Sequence, residues 1–138
     1  MKRNKLVVIG SGRLGATIAA KMSEKGEDVI IVDLRQDSFR KLRDTFSGYQ
    51  VIGDATDIAV LEDAFIKEAE TVVIATNYDN VNIFIAHVCS KILNVPRIVV
   101  RLSDADKGEL LEGDDIQIIY PFNLSLNAFI QLNERSGE

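Results

Sequence analysis

The residues best placed to do chemistry are Gly10-Ser11-Gly12-Arg13-Leu14-Gly15, a G-x-G-x-x-G cluster directly after the apolar run Leu6-Val7-Val8-Ile9. Glycines at this spacing, between a buried strand and a helix, each have a use. Gly10 allows a tight turn, Gly12 lets the backbone approach a phosphate, and Gly15 lets the helix pack close to the strand. The implied chemistry is electrostatic: N–H groups at a helix N-terminus hold the phosphates of a nucleotide. Arg13 leaves the first turn of that helix, where a guanidinium either adds a charge-assisted fork or stands in solvent as an ordinary helix arginine. A second run, Asp28-Val29-Ile30-Ile31-Val32, ends at Asp33. That is about the spacing at which a carboxylate accepts from ribose hydroxyls, although the same group can cap a loop. Its charge repels a 2′-phosphate, which favours NAD(H) or an adenine nucleotide over NADP. Arg35, just past Leu34, softens that preference, since it can stack on adenine or reach a 2′-phosphate.

Ligands of open parallel sheets sit beyond the carboxyl ends of the strands, so the residues after each later strand matter next. Gly53-Asp54-Ala55-Thr56 combines a glycine that lets the backbone bend with short polar groups suited to an adenine edge; Asp54 equally suits a helix cap. In Ala75-Thr76-Asn77-Tyr78-Asp79-Asn80-Val81-Asn82, Thr76 and Asn77 fall beside ribose and phosphates, while Asp79 and Asn82 organise the start of a helix.

Reactive groups are scarce. His87 is the sole histidine and falls mid-helix, a structural position, and Cys89 is the sole cysteine, expected as a small buried apolar residue. No Ser/His/Asp set or spaced His/Cys metal cluster stands out, and Arg13-Leu14-Gly15 occupies the place of a Walker G-K-[ST]. Asp104, Asp106, Glu109 and Glu112 read as a solvated helix face. The expectation is a ligand-binding domain rather than an enzyme. The alternative is a small NAD-dependent oxidoreductase or a fragment of one, which would need a proton donor or acceptor near the nicotinamide.

The elements that position these residues alternate along the chain. Strands are expected near 5–9, 28–32, 50–52, 71–75, 97–101 and 116–119, and helices near 13–25, 37–46, 57–66, 79–93, 104–112 and 122–132. Val- and Ile-rich strands imply a parallel sheet covered on both faces. The fold class is therefore α/β: a Rossmann-like, doubly wound sheet of six parallel strands in the order 3-2-1-4-5-6. Asp37 and Ser103 are candidate helix N-caps, Pro121 suits a first helical turn, and Gly26 and Gly48 suit positions just past helix ends.

Two helices carry surplus apolar surface. In the fourth, Val81, Phe84, Ile85, Val88 and Ile92 form the expected core stripe, with Ile83 pointing away and Ala86, Cys89 and Leu93 broadening it. In the last, Phe122, Leu126, Phe129 and Ile130 share a face and Leu124 and Leu132 lie off it. A subunit interface explains the surplus; a generous core stripe with a few exposed leucines is the plainer alternative.

With 138 residues the chain makes one domain, too short for a nucleotide domain joined to a substrate domain. A net charge of −5 and the lack of a basic stripe oppose a nucleic-acid partner. No apolar run approaches the roughly twenty residues of a membrane span, and no signal-peptide core precedes the first strand. A cytoplasmic protein without direct membrane insertion is expected.

Taken together, G-x-G-R-x-G at residues 10–15, Asp33 at the end of the second strand, Gly53-Asp54-Ala55-Thr56 and the run Thr76–Asn82 resemble the N-terminal lobe of RCK domains, also called KTN or TrkA-N domains. Arg101, closing the fifth strand, is similar to the family's arginine. The likeness spans about residues 5–120, and the last helix resembles the crossing helix through which such lobes pair. It implies a nucleotide-binding lobe over 1–120 and a crossing helix and tail over 121–138. It implies binding of ATP, ADP, AMP or NAD(H) and a homodimer or larger ring formed through the fourth and last helices. It further implies control of a membrane potassium transporter or channel subunit from the inner face of the membrane. A third reading is a redox-sensing adaptor in which NAD and NADH act differently. Asp104-Ala105-Asp106 departs from the family's Asp-Pro-Glu-like turn. The C-terminal lobe has no room in this chain, as in a lone-lobe protein or a piece ending after the crossing helix.

Overall fold

The computed structural model describes residues 2–42 and 44–136. Six parallel strands form one sheet: β1 (Lys5–Ile9), β2 (Asp28–Asp33), β3 (Tyr49–Ile52), β4 (Ala69–Ile74), β5 (Arg97–Arg101) and β6 (Ile116–Ile119). Their spatial order is β3-β2-β1-β4-β5-β6. This is the doubly wound Rossmann-like order anticipated from the sequence, and it reverses at β1. Sequential strands on either side of β1 run outwards, leaving a crevice above its carboxyl end.

Both sheet faces are buried because successive β side chains alternate between them. Leu6, Val8, Val29 and Ile31 face α1 (Arg13–Glu24), while Val7, Ile9, Ile30 and Val32 face the layer that holds α2 (Ile58–Asp63) and α3 (Asp79–His87). Gly26, at φ +90°, ends α1 as expected: its N–H donates to Ser23 O and that of Glu27 to Met22 O, satisfying carbonyls the helix leaves open. Pro121 opens α4 (Pro121–Ser136), also as expected.

Several helices are shorter or tighter than their periodicity implies. The segment expected as a helix over 37–46 is a 3-10 turn, Gln36–Lys41, in which Phe39 is buried and so anchors it; Arg43 lies outside the described residues. Asp37 does not cap it: Arg35 precedes the turn and Asp37 pairs with Arg40 at 3.6 Å. Gly48 ends no helix either. It lies directly before β3, where a Cβ would strike the Val29 carbonyl and the Phe46 ring. The helix expected over 57–66 stops at Asp63, after which Phe65 takes a left-handed conformation (φ 58°) and Ile66–Glu68 form a 3-10 turn. The segment over 104–112 is likewise 3-10, Ala105–Leu111, capped by Asp104 rather than Ser103.

Helix α3 continues as a π turn over Val88–Ile92, and its phase differs from the expected stripe. Ile83, Ala86, Cys89 and Leu93 are buried, as is Ile85, whereas Phe84 and Ile92 are 49% and 60% exposed. Asn82 sets this rotation: its carboxamide bonds to the ends of β4 and β5, so its side of the helix faces the sheet and Phe84 turns outward. In α4, every residue from Leu124 to Arg135 is exposed. No described helix is long and apolar enough to cross a membrane.

Candidate functional site

The carboxyl ends of β2, β1, β4 and β5 bring together Asp33, the glycine loop, Thr76–Asn77 and Arg101, in that spatial order. Gly10 takes φ +102°, and a Cβ there would lie 2.7 Å from the Ala75 carbonyl oxygen, so only glycine makes this turn beside β4. A Cβ on Gly15 would overlap the Gly10 carbonyl, which is the close helix–strand approach its spacing implies. Gly12 differs from both. The nearest atom to a Cβ there is Asn77 Oδ1, at 3.9 Å, so an open slot lies above its backbone.

Gly12 is also the N-cap of α1 and supplies no side-chain acceptor. The first N–H groups of the helix are therefore open to a ligand, with Arg13 exposed on the first turn. Leu14, by contrast, packs partly against the core. Ser11 is fully buried and committed elsewhere: its N–H donates to Asp33 Oδ2 at 2.7 Å and its hydroxyl to Ser38 O at 3.0 Å. Asp33 Oδ1 accepts from the Arg35 N–H at 3.1 Å. The half-exposed carboxylate thus ties two loops while retaining lone pairs for further donors. Leu34 and Arg35 stand exposed beside it.

After β3, the Gly53 N–H extends the ladder to Asp33 O at 2.9 Å, and a Cβ on Gly53 would press on Val60 at 2.8 Å. The backbone bends at this glycine, as expected, and its missing Cβ also permits close packing. Asp54 Oδ1 accepts from the Thr56 hydroxyl (2.7 Å) and N–H (2.9 Å), which hold its carboxyl below the usual carboxylate range. It closes its own turn, and Asp57 caps α2 instead. Ala55 and Ala75 are buried core residues.

On the other flank, Arg101 Nη1 donates to Thr76 O at 3.3 Å and lies 3.5 Å from Asn77 Oδ1. Asp79, the first residue of α3, accepts from the N–H groups of Ser103 and Asp104, each at 2.9 Å. Asn82 is fully buried and links Thr76 to Arg101. The sequence marked it only as a helix-start residue; an Asn between Val81 and Ile83 in an apolar stripe was the available signal. His87 closes α3 away from the strand ends, with Nε2 3.0 Å from Leu110 O and Nδ1 3.4 Å from Asp114 Oδ2.

The donor set suits a nucleotide: open helix N–H groups, an exposed guanidinium and a second one at the far wall for phosphates, and a carboxylate for hydroxyls. A shallow hollow of about 460 Å³, lined by Asn77, Tyr78, Asp79 and Lys107 among others, adjoins this seat. A groove of about 680 Å³ lies farther off, between the 105–111 segment and β6, and its Asp106, Glu109 and Glu112 would repel phosphate.

A profile of the TrkA-N domain matches residues 6–121. The chain is similar to a Trk system potassium uptake protein TrkA homolog from Pyrococcus abyssi, 35% identical over 109 residues that cover 78% of this chain and 47% of the relative. It is likewise similar to one from Pyrococcus horikoshii, 36% identical over 109 residues, with the same coverage of 78% and 47%. The chain thus spans about half the length of these two relatives. Among solved structures, GsuK bound to ADP superposes with a TM-score of 0.80 at 27% identity, covering 96% of this chain and 34% of that one.

Proposed function

Since the chain belongs to the TrkA-N domain family, we propose that it is a nucleotide-binding regulatory lobe that controls potassium transport through a membrane partner. The observation that carries the reading is the open slot over Gly12 at the uncapped head of α1, walled by Asn77. Phosphates would lie against the helix N–H groups beside Arg13, with Arg101 and Asn77 on the far side and ribose hydroxyls on Asp33. ADP, AMP, ATP and NAD(H) all present these groups, and the likeness to a structure holding ADP supports the adenine nucleotides. The preference for a ligand without a 2′-phosphate rests on the Asp33 charge.

Residues 1–120 would form the ligand lobe and 121–138 a crossing helix and tail. The exposed Phe122, Leu126 and Phe129 of α4 and the exposed Phe84 and Ile92 on α3 and its π turn are the surface through which two copies would meet. A ligand that binds one arrangement of the pair tenfold better than another contributes about 1.4 kcal/mol to that arrangement. Modest selectivity is enough to bias a gate at the inner face of a membrane.

A thermal-unfolding panel with AMP, ADP, ATP, NAD, NADH and NADPH tests the reading. Mass action predicts about 2.7 kcal/mol of stabilisation at a hundredfold excess over the dissociation constant. No stabilisation by any of the six would overturn it.

A further inference from the structure

Asn82 is 0% exposed, yet its carboxamide has every hydrogen-bonding position filled. Oδ1 accepts from the Thr76 N–H (3.2 Å) and the Thr76 hydroxyl, while Nδ2 donates to Thr76 O (3.1 Å) and Arg101 O (2.9 Å). One side chain from the first turn of α3 therefore grips the ends of two neighbouring strands. The arrangement bears on the seat in a specific way. The Thr76 carbonyl held by Asn82 is the one against which the Arg101 guanidinium rests at 3.3 Å. Asn82 also holds the backbone carbonyl of Arg101 itself, the residue from which that guanidinium projects.

An aliphatic residue would fill this core position without the cost of burying an amide. A saturated polar network instead specifies one geometry, because each loosened bond would strand a buried partner. The geometry so fixed is the separation of Arg101 from Asn77, whose Oδ1 lies 3.9 Å from where a Gly12 Cβ would stand. We propose that Asn82 is a positioning residue of the nucleotide seat: it touches no ligand, and it sets where Arg101 and Asn77 stand. The proposal rests on the nucleotide reading above.

Two substitutions in the full chain test it. Asn82→Asp keeps both acceptor bonds and replaces the two donors with an oxygen that faces two carbonyls; Asn82→Ser removes most of the network. Circular dichroism and unliganded melting report the fold, and calorimetric titration with ADP reports the seat. Asn82→Asp is expected to weaken ADP binding by roughly tenfold or more. Combined with Arg101→Gln, it should lose no more than the larger single loss, because both changes disable one device. A merely structural role would leave the two losses independent. ADP affinity unchanged in Asn82→Asp, or losses that multiply in the double variant, would overturn the proposal. So would an Asn82→Asp chain that cannot fold, which would make the residue a requirement of the fold instead. A native chain that binds no ADP would fail the nucleotide reading itself, a result distinct from native binding that Asn82→Asp retains.

Discussion

The Ser11 N–H donates to the Asp33 carboxylate at 2.7 Å, so the residue proposed to bind ribose also fastens the glycine loop to the end of β2. On that proposal, ligand recognition and loop geometry would share one side chain. Asp33→Ala is therefore expected to act twice. It should lower unliganded stability by about 1.5–3 kcal/mol, the usual worth of a hydrogen bond to a charged group, as read from urea unfolding. It should also shrink the thermal shift given by each nucleotide that lacks a 2′-phosphate. Native stability together with an unchanged shift would remove Asp33 from both roles.

Cys89 lies fully buried against the sheet, and burial pushes its thiol up to about 12. The thiolate is the reactive form, so the native chain should resist a disulfide reagent at pH 8 and label only after denaturation. Prompt labelling of the folded protein would show that the 79–92 segment opens readily.

Asp54 offers a test in acid. The Thr56 hydroxyl, then its N–H, lower the folded-state value of this carboxyl, so the turn's contribution is present above the unfolded value and is lost as pH falls through the depressed one. The 53–56 turn should hold from pH 8 to 5 and open only below the usual carboxylate range. In Thr56→Val the midpoint of the Asp54 carboxyl, followed by NMR, should rise; an unmoved midpoint would contradict the assignment.

The exposed apolar surface of α4 makes a prediction about mass. Phe129 is 64% exposed, so Phe129→Glu should alter the stability of the lobe by no more than about 0.5 kcal/mol. The same change should convert a native dimer to a monomer in light scattering. A native chain that stays monomeric at high concentration would remove this interface.

How much of this could be read from the sequence depended on whether a feature is local. The strand order, the turn at Gly10 and the approach at Gly15 follow from short-range patterns of Val, Ile and Gly, and the structure has all three. The phase of α3 does not: Phe84 and Ile92 fit a helical stripe as well as Ile83 and Cys89 do. The choice is made by Asn82, whose partners Thr76 and Arg101 come from two separate strands. The 3-10 segments are illegible for a related reason: Gln36–Lys41 has helix-like composition but is anchored in the core by Phe39. At the candidate site the sequence could not show that the Ser11 N–H is spent on Asp33. Gly53 likewise packs against Val60, a contact made only once the chain turns back through α2.

The central claim is that the slot over Gly12 receives phosphate, and calorimetric titration of ADP into the native chain and into Gly12→Ala tests it most directly. A Cβ at Gly12 meets only Asn77 Oδ1, at 3.9 Å, in a backbone at φ −76°, so the variant should fold with stability close to native. Gly10→Ala is the contrast: its φ of +102° and the Ala75 carbonyl 2.7 Å away should destabilise the fold itself. The account predicts saturable ADP binding to the native chain and a loss of roughly tenfold or more in folded Gly12→Ala. Equal ADP affinity in the two chains, or none in the native one, would contradict it.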